Sequence, residues 1–258
     1  MGLKESGLRG SLRNVSVDIF AIPDSVVEKT IRHYPLLERT NDTIIETVEN
    51  EDATASGTTN ISGDFFRGYA EEADGVDDHI LTQFSPTEQL VSDTFSVAFT
   101  LETEDLGRLH SVNSAPGRNA IQIGTDIGGF TGNTGGMNFA IRSDGTSSGD
   151  FDGVFSSENV DDGERRFYVI NKIGNDADDY EIWVGDDTTI SEDTNVFRDD
   201  NQTGAFTDFT EPMPIFAENN GGDIEDHIGG IGDTFRWMDD SLSQDEVESL
   251  HSSQPWVN

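Results

Sequence analysis

Residues 228–256 read IGGIGDTFRWMDDSLSQDEVESLHSSQPW, and this stretch decides the fold. Thr234-Phe-Arg-Trp-Met238 alternates sides, the pattern of a half-buried strand. Asp239 and Asp240 come next as an acidic turn. Ser243 and Glu246 then have the spacing of a capping box, and Leu242 and Val247 sit where a hydrophobic staple closes a helix entry. Pro255 lies just past the expected helix end. The chain therefore closes on a strand, a turn and one short helix.

Working outward, the remaining sequence reads as all-β. The chain has 258 residues, 27 glycines, 16 phenylalanines and three tryptophans. Apolar runs are short and turn residues abundant, which fits a sandwich or barrel of short strands. The aromatics can supply a core, since each buries a large area. Besides the C-terminal segment only residues 24–32 look helical, with Asp24-Ser-Val-Val-Glu-Lys-Thr starting a linker helix.

The closing strand and the Leu-Ser-x-x-Glu-(apolar)-x-x-Leu run after it resemble the C-terminal signature of the laminin-G/pentraxin-like branch of the concanavalin A-like jelly rolls. Upstream pieces stand in family order. Tyr34-Pro-Leu-Leu-Glu38 and Asp42-Thr-Ile-Ile45 are similar to the family's opening strand and the stretch after it. Ala73-Asp-Gly-Val-Asp-Asp-His-Ile-Leu81 is similar to a Phe-Asp-Gly-x-Asp-Asp-Tyr element, with Ala73 in place of the aromatic. Asp93-Thr-Phe-Ser-Val-Ala-Phe-Thr-Leu101 resembles a core strand with Phe95, Val97, Phe99 and Leu101 on one face. The resemblance implies a jelly-roll sandwich of two antiparallel sheets over residues 33–258, with residues 1–32 an arm and linker. It also implies a structural calcium ion. Asp74, Asp77 and Asp78 around Gly75, with Asp233, are the oxygen ligands on offer, although the same residues cap turns through neighbouring backbone amides.

Fifteen basic residues stand against 51 acidic ones, a net charge of 15 − 51 = −36, and only Lys4, Lys29 and Lys172 are lysines. Such a surface repels itself at ordinary salt and is screened at molar salt, where the Debye length falls to about 3 Å. The pairing of acidic excess with scarce lysine resembles proteins of haloarchaea and their viruses, and implies a hypersaline setting. Nucleic-acid binding is disfavoured, because phosphate contacts need clustered Lys and Arg. There is no cysteine, which excludes disulfides and thiolate metal sites. No apolar run approaches the ~18 residues of a membrane helix, so membrane insertion is not expected. Residues 1–9 lack the apolar stretch of a secretory leader.

Residues 1–17 carry Lys4, Arg9 and Arg13 against Glu5 alone, broken by Gly2, Gly7 and Gly10. A basic, glycine-broken arm orders when something holds it. Lys4, Leu8, Arg9, Leu12 and Arg13 then form an anchor, laid either on an acidic neighbouring subunit or back on the chain's own domain. The arm resembles opening segments of structural proteins of tailed viruses of haloarchaea. That resemblance implies a virion surface protein, a capsid turret, decoration or tail-fibre component. Its arm would contact the major capsid or another virion protein, with ring-like homo-oligomers and contact with host surface glycans.

No catalytic constellation stands out. A retaining glycosidase pairs carboxylates about 5–5.5 Å apart, and no Glu-x-Asp-x-x-Glu strand is present. Asp223-Ile-Glu-Asp226 reads as an acidic loop. The glycine-rich residues 124–136 lack a P-loop lysine. The five histidines show no metal spacing and read as surface or turn residues. For glycan contact, Trp183 and Tyr180, on opposite faces of one strand, and the loop residues Asn219 and Asn220 are the candidates. Trp237 reads as core, and Trp256 as a lid or interface residue. Asn14, Asn41, Asn60 and Asn201 begin Asn-x-Ser/Thr sequences. Two other readings stay open: a cell-surface or secreted lectin, and a glycoside hydrolase with a degenerate cleft.

Overall fold

A computed structural model describes residues 22–257, except 37–38, 40, 64, 66–67, 88–89, 92, 115–118, 127–134, 144–150, 199–205 and 207–208. The anchor residues Lys4, Leu8, Arg9, Leu12 and Arg13 lie outside the described residues, as do Asn14 and Asn201. Among the described residues no helix is long and apolar enough to cross a membrane.

Two large sheets face one another. The first has six antiparallel strands in the order β1 (Thr30–Pro35), β20 (Thr234–Met238), β7 (Phe95–Leu101), β12 (Arg166–Lys172), β13 (Tyr180–Gly185) and β14 (Ile190–Glu192). The second has seven: β15 (Asn195–Arg198), β11 (Asp152–Phe155), β10 (Asn138–Arg142), β9 (Ala120–Gly124), β8 (His110–Asn113), β17 (Ala217–Asn220) and β18 (Asp223–Glu225). Two small sheets flank them. One joins β16 (Pro214–Ile215), β6 (His79–Leu81), β3 (Ala53–Ser56) and β2 (Thr43–Ile44). The other joins β19 (Gly229–Gly232), β5 (Tyr69–Asp74) and β4 (Thr59–Ser62).

The chain is thus an all-β, jelly-roll-like sandwich. It departs from two purely antiparallel sheets in one pair, since β17 runs parallel to β8. A parallel neighbour requires a long crossover, and about a hundred residues separate the two strands here. Phe216, between β16 and β17, has φ 67, a conformation that bulky residues rarely adopt. It redirects the chain from the small sheet onto β8, with its own N–H bonded to the Leu109 carbonyl at 2.6 Å.

The core fills the space between the large sheets. Phe95, Val97, Phe99 and Leu101 share the inner face of β7, as their alternation predicts, and meet Val112, Ile121, Ile123, Phe139 and Ile141 from the other sheet. Phe99 stacks on Phe235, 5.1 Å between centroids, and Phe95 meets Phe139 edge-on at 5.9 Å across the sandwich. Each such ring taken from water contributes roughly 2–3 kcal/mol.

The expected helix is present over Gln244–Ser252. The Ser243 hydroxyl accepts from Glu246 N–H, the Glu246 carboxylate accepts from Ser243 N–H, and Leu242 and Val247 are buried in one cluster. That cluster lies on the outer face of the six-stranded sheet and includes Val26, Ala98, Phe167, Trp183 and Met238. It also changes the reading of β20. This strand is buried on both faces rather than half-buried, because helices cover the side expected to meet water.

The first helix, Asp24–Lys29, is not a free linker. Val26 is fully buried in the same cluster, and Lys29 Nζ bonds Glu246 Oε2 and the Ser241 carbonyl, both at 2.9 Å. It runs straight into β1, which pairs with β20. A boundary between residues 32 and 33 would cut that strand, so residues 24–32 belong to the sandwich.

Candidate functional site

The turn linking β13 to β14 is built by Asp186. Its Oδ1 accepts from Thr189 N–H, Thr188 N–H and the Thr188 hydroxyl, each at 2.8 Å. The Thr189 amide, first among these bonds, holds the Asp186 carboxyl below the usual carboxylate range. The Asp186 carbonyl in turn accepts from His251 Nε2 at 2.7 Å, which ties the turn to the C-terminal helix. Gly185 permits this approach, since a Cβ there would stand 2.7 Å from His251 Cδ2. Trp256, just past the helix, stands perpendicular to the His251 ring at 6.2 Å.

These elements border an open groove of 470 Å³. Val184, Thr189, Ser191 and Trp256 line it, with the carboxylates of Glu158, Glu164, Asp186 and Asp187 and the guanidiniums of Arg165 and Arg166. Trp256 is half-buried, and its indole N–H has no hydrogen-bond partner among the described residues. Arg166 is bound to Asp162 through both terminal nitrogens, at 2.6 and 2.8 Å. That fork holds the Asp162 carboxyl down at about 2. Arg165 lies 4.3 Å over the Phe65 ring and reaches Glu102 at 3.4 Å. The groove is thus a mostly polar, charged surface with one aromatic ring on it, unlike the mainly apolar lining of a typical small-molecule pocket.

The residues read from the sequence as glycan contacts do not come together. Tyr180 is 1% exposed and lies inside the sandwich, edge-on to Phe139 at 5.5 Å. Trp183, on the opposite face, sits under the C-terminal helix, with its indole N–H bonded to Glu181 Oε2 at 3.0 Å. It borders a second groove, of 460 Å³, with Lys29, Ile173, Glu192 and Ser243. Asn219 is buried and spends its side chain on the Pro212 carbonyl and Gly222 N–H. Asn220 bonds Glu225 at 2.5 Å. Trp256 is the aromatic that lines the first groove.

The calcium candidates divide. Asp74, Asp77 and Asp78 offer carboxylate oxygens within 4.8 Å of one another. Two of them already brace the turn: Asp74 Oδ1 accepts from Val76 N–H at 2.8 Å, and Asp78 Oδ2 from Asp74 N–H at 3.0 Å. Asp233 is elsewhere. Gly229 pairs with Asp74 and Gly232 with Glu71, which places Asp233 roughly 13 Å further along the strand. There it is buried and hydrogen-bonded to the Thr100 hydroxyl.

Three of the five histidines are buried rather than at the surface: His33, His110 and His251. Residues 223–225, read as a loop, form β18, because Asn219–Gly222 turns the chain back on β17. Nearby lies a buried polar cluster that sequence reasoning missed. Glu218, 3% exposed, accepts from Gln122 at 3.0 Å and Asn113 at 3.1 Å, and Arg108 Nε lies 3.6 Å away. Burial pushes its carboxyl above the usual range. The only sequence signal was a Glu within a strand beside Ala217.

No family model matches the chain, and no curated protein matches it. Solved structures do. Domain 4 of AbnA, a GH43 extracellular arabinanase from Geobacillus stearothermophilus, solved with arabinotriose, matches with TM-score 0.56 at 16% identity, over 86% of this chain and 98% of that one. The binding domain of botulinum neurotoxin DC, solved with SialylT, matches with TM-score 0.59 at 11% identity, over 89% of this chain and 52% of that one. A Trypanosoma rangeli sialidase mutant displaying trans-sialidase activity matches with TM-score 0.57 at 10% identity, over 92% of this chain and 34% of that one. The chain thus spans about half of the toxin chain and a third of the sialidase. At these identities the likeness is one of fold, a β-sandwich shared with domains of carbohydrate-active and toxin proteins.

Proposed function

We propose that this chain is a carbohydrate-binding sandwich that holds an oligosaccharide in the Trp256 groove and does not transform it. The observation that carries the reading is the 470 Å³ groove with one tryptophan, two hydroxyl side chains and exposed carboxylates along its walls. A sugar offers an apolar ring face to an indole and hydroxyls to such acceptors. Two of the similar structures were solved with sugars, arabinotriose and SialylT. Binding is favoured over hydrolysis because glycosidases set two facing carboxyls apart in proton affinity. Asp186 in the groove is ionised and committed to its turn. Among the described residues, a carboxyl held above its usual range is that of Glu218, and it is buried beneath its own partners.

Display of this domain on a virion in a hypersaline setting, through a ring anchored by residues 1–17, is the finer form of this proposal. It rests on the net charge of −36 and on the basic arm.

The test is a glycan array with the folded chain, then titration calorimetry on the best binder. Trp256→Ala should lose at least tenfold in affinity with an unchanged circular dichroism spectrum, and no reducing sugar should be released. An empty array would end the reading, and release of reducing sugar would replace binding with catalysis.

A further inference from the structure

Resting on the Trp256 reading, the geometry points to a selectivity: the groove takes uncharged or amino-bearing sugars and rejects acidic ones. Recognition of a sugar carboxylate or sulfate needs a free guanidinium fork or a cluster of unspent cations. Among the described residues the groove has neither. Its lining carries the exposed carboxylates of Glu158, Glu164, Asp186 and Asp187 against Arg165 and Arg166, so that 2 − 4 = −2.

Both arginines are occupied from outside the groove. Arg166 spends Nη1 and Nη2 on Asp162, which lies beyond the lining. Arg165 is stacked on Phe65 and turned to Glu102, itself an acid. Counting Asp162 and Glu102 leaves the neighbourhood at −2 − 2 = −4. An acidic sugar would have to displace one of these carboxylates or stand beside four others. An ammonium group meets carboxylate acceptors along the lining, and neutral hydroxyls can donate to the same carboxylates.

The experiment uses immobilised neutral oligosaccharides, each beside its sialylated or sulfated counterpart, and a chitosan trimer as the amino-sugar probe. The salt is chosen so that circular dichroism shows a folded chain. Neutral members should bind at least tenfold tighter than their acidic counterparts, and chitosan binding should weaken as salt is raised. Glu164→Gln with Asp187→Asn, both at exposed positions, should narrow the gap between neutral and acidic partners by raising acidic-sugar affinity relative to neutral. Equal or tighter Trp256-dependent binding of an acidic member would overturn the selectivity while leaving glycan binding intact. If no member of any class binds, the carbohydrate reading itself fails and the selectivity falls with it.

Discussion

Trp237 donates its indole N–H to Nε2 of His110 at 2.8 Å, joining the last strand of one large sheet to β8 of the other. The second ring nitrogen, Nδ1, donates to the Pro214 carbonyl at 2.6 Å. A neutral imidazole has one donor and one acceptor, so this site satisfies the neutral ring completely. Protonation would set two N–H groups face to face in the core. Burial accordingly pushes the His110 pKa down to about 4.

Stability should therefore depend on pH between about 4 and the unfolded value near 6.5. In that window the unfolded chain binds a proton that the folded chain does not. Stability then rises with pH and levels off above about 6.5. The contribution, up to about 3 kcal/mol, disappears as pH falls toward 4. His110→Gln keeps a donor and an acceptor but cannot titrate. Denaturant midpoints at pH 4.5, 5.5 and 7 should converge for the two proteins at the lowest value, and parallel curves would refute the assignment.

Ser243→Ala removes the N-cap acceptor of the C-terminal helix while leaving Leu242 and Val247 in place. The expected loss is about 1 kcal/mol, or a melting temperature lower by about 2–4 °C. A much larger loss would mean that the helix, and with it the cover of the six-stranded sheet, depends on the cap alone.

Gly124 in β9 faces the backbone of Gly107, and a Cβ at 124 would stand 2.3 Å from the Gly107 carbonyl oxygen. That oxygen also accepts from Thr125 N–H at 3.0 Å, so it cannot retreat without breaking the bond. Gly124→Ala should cost about 2–3 kcal/mol, read from the denaturant midpoint. A neutral result would show that the strands can separate there.

Thermal stability should climb with salt. At −36 the chain repels itself, and raising salt from 0.1 to 1 M shortens the Debye length from about 10 to about 3 Å. Melting monitored by circular dichroism over that range checks this. A flat profile would remove the charge argument for a hypersaline setting.

The features legible along the chain are local. The Ser243–Glu246 capping box, the staple of Leu242 on Val247 and the shared face of Phe95, Val97, Phe99 and Leu101 all come from spacings of a few residues. Period-two alternation also places Tyr180 and Trp183 on opposite faces. It does not say which face meets the core, because helices apolar enough to cover the outer face make both sides of the sheet dry.

The groove likewise depends on distant meetings: Asp186 with His251, 65 residues apart, and the arginine wall beside Trp256. The same is true of His110 with Trp237, 127 residues apart, and of the separation of Asp233 from Asp74. Spacings of a few residues suffice for the closing strand, the C-terminal helix and the shared face of β7, and composition for the acidic charge, since each rests on neighbours in the chain or on a count. Which polar groups are buried, which tryptophan lines a groove and which carboxylates stand together emerge with the folded sheets. Those depend on sheet register and on what covers each face, and both are set by contacts between residues far apart in the chain.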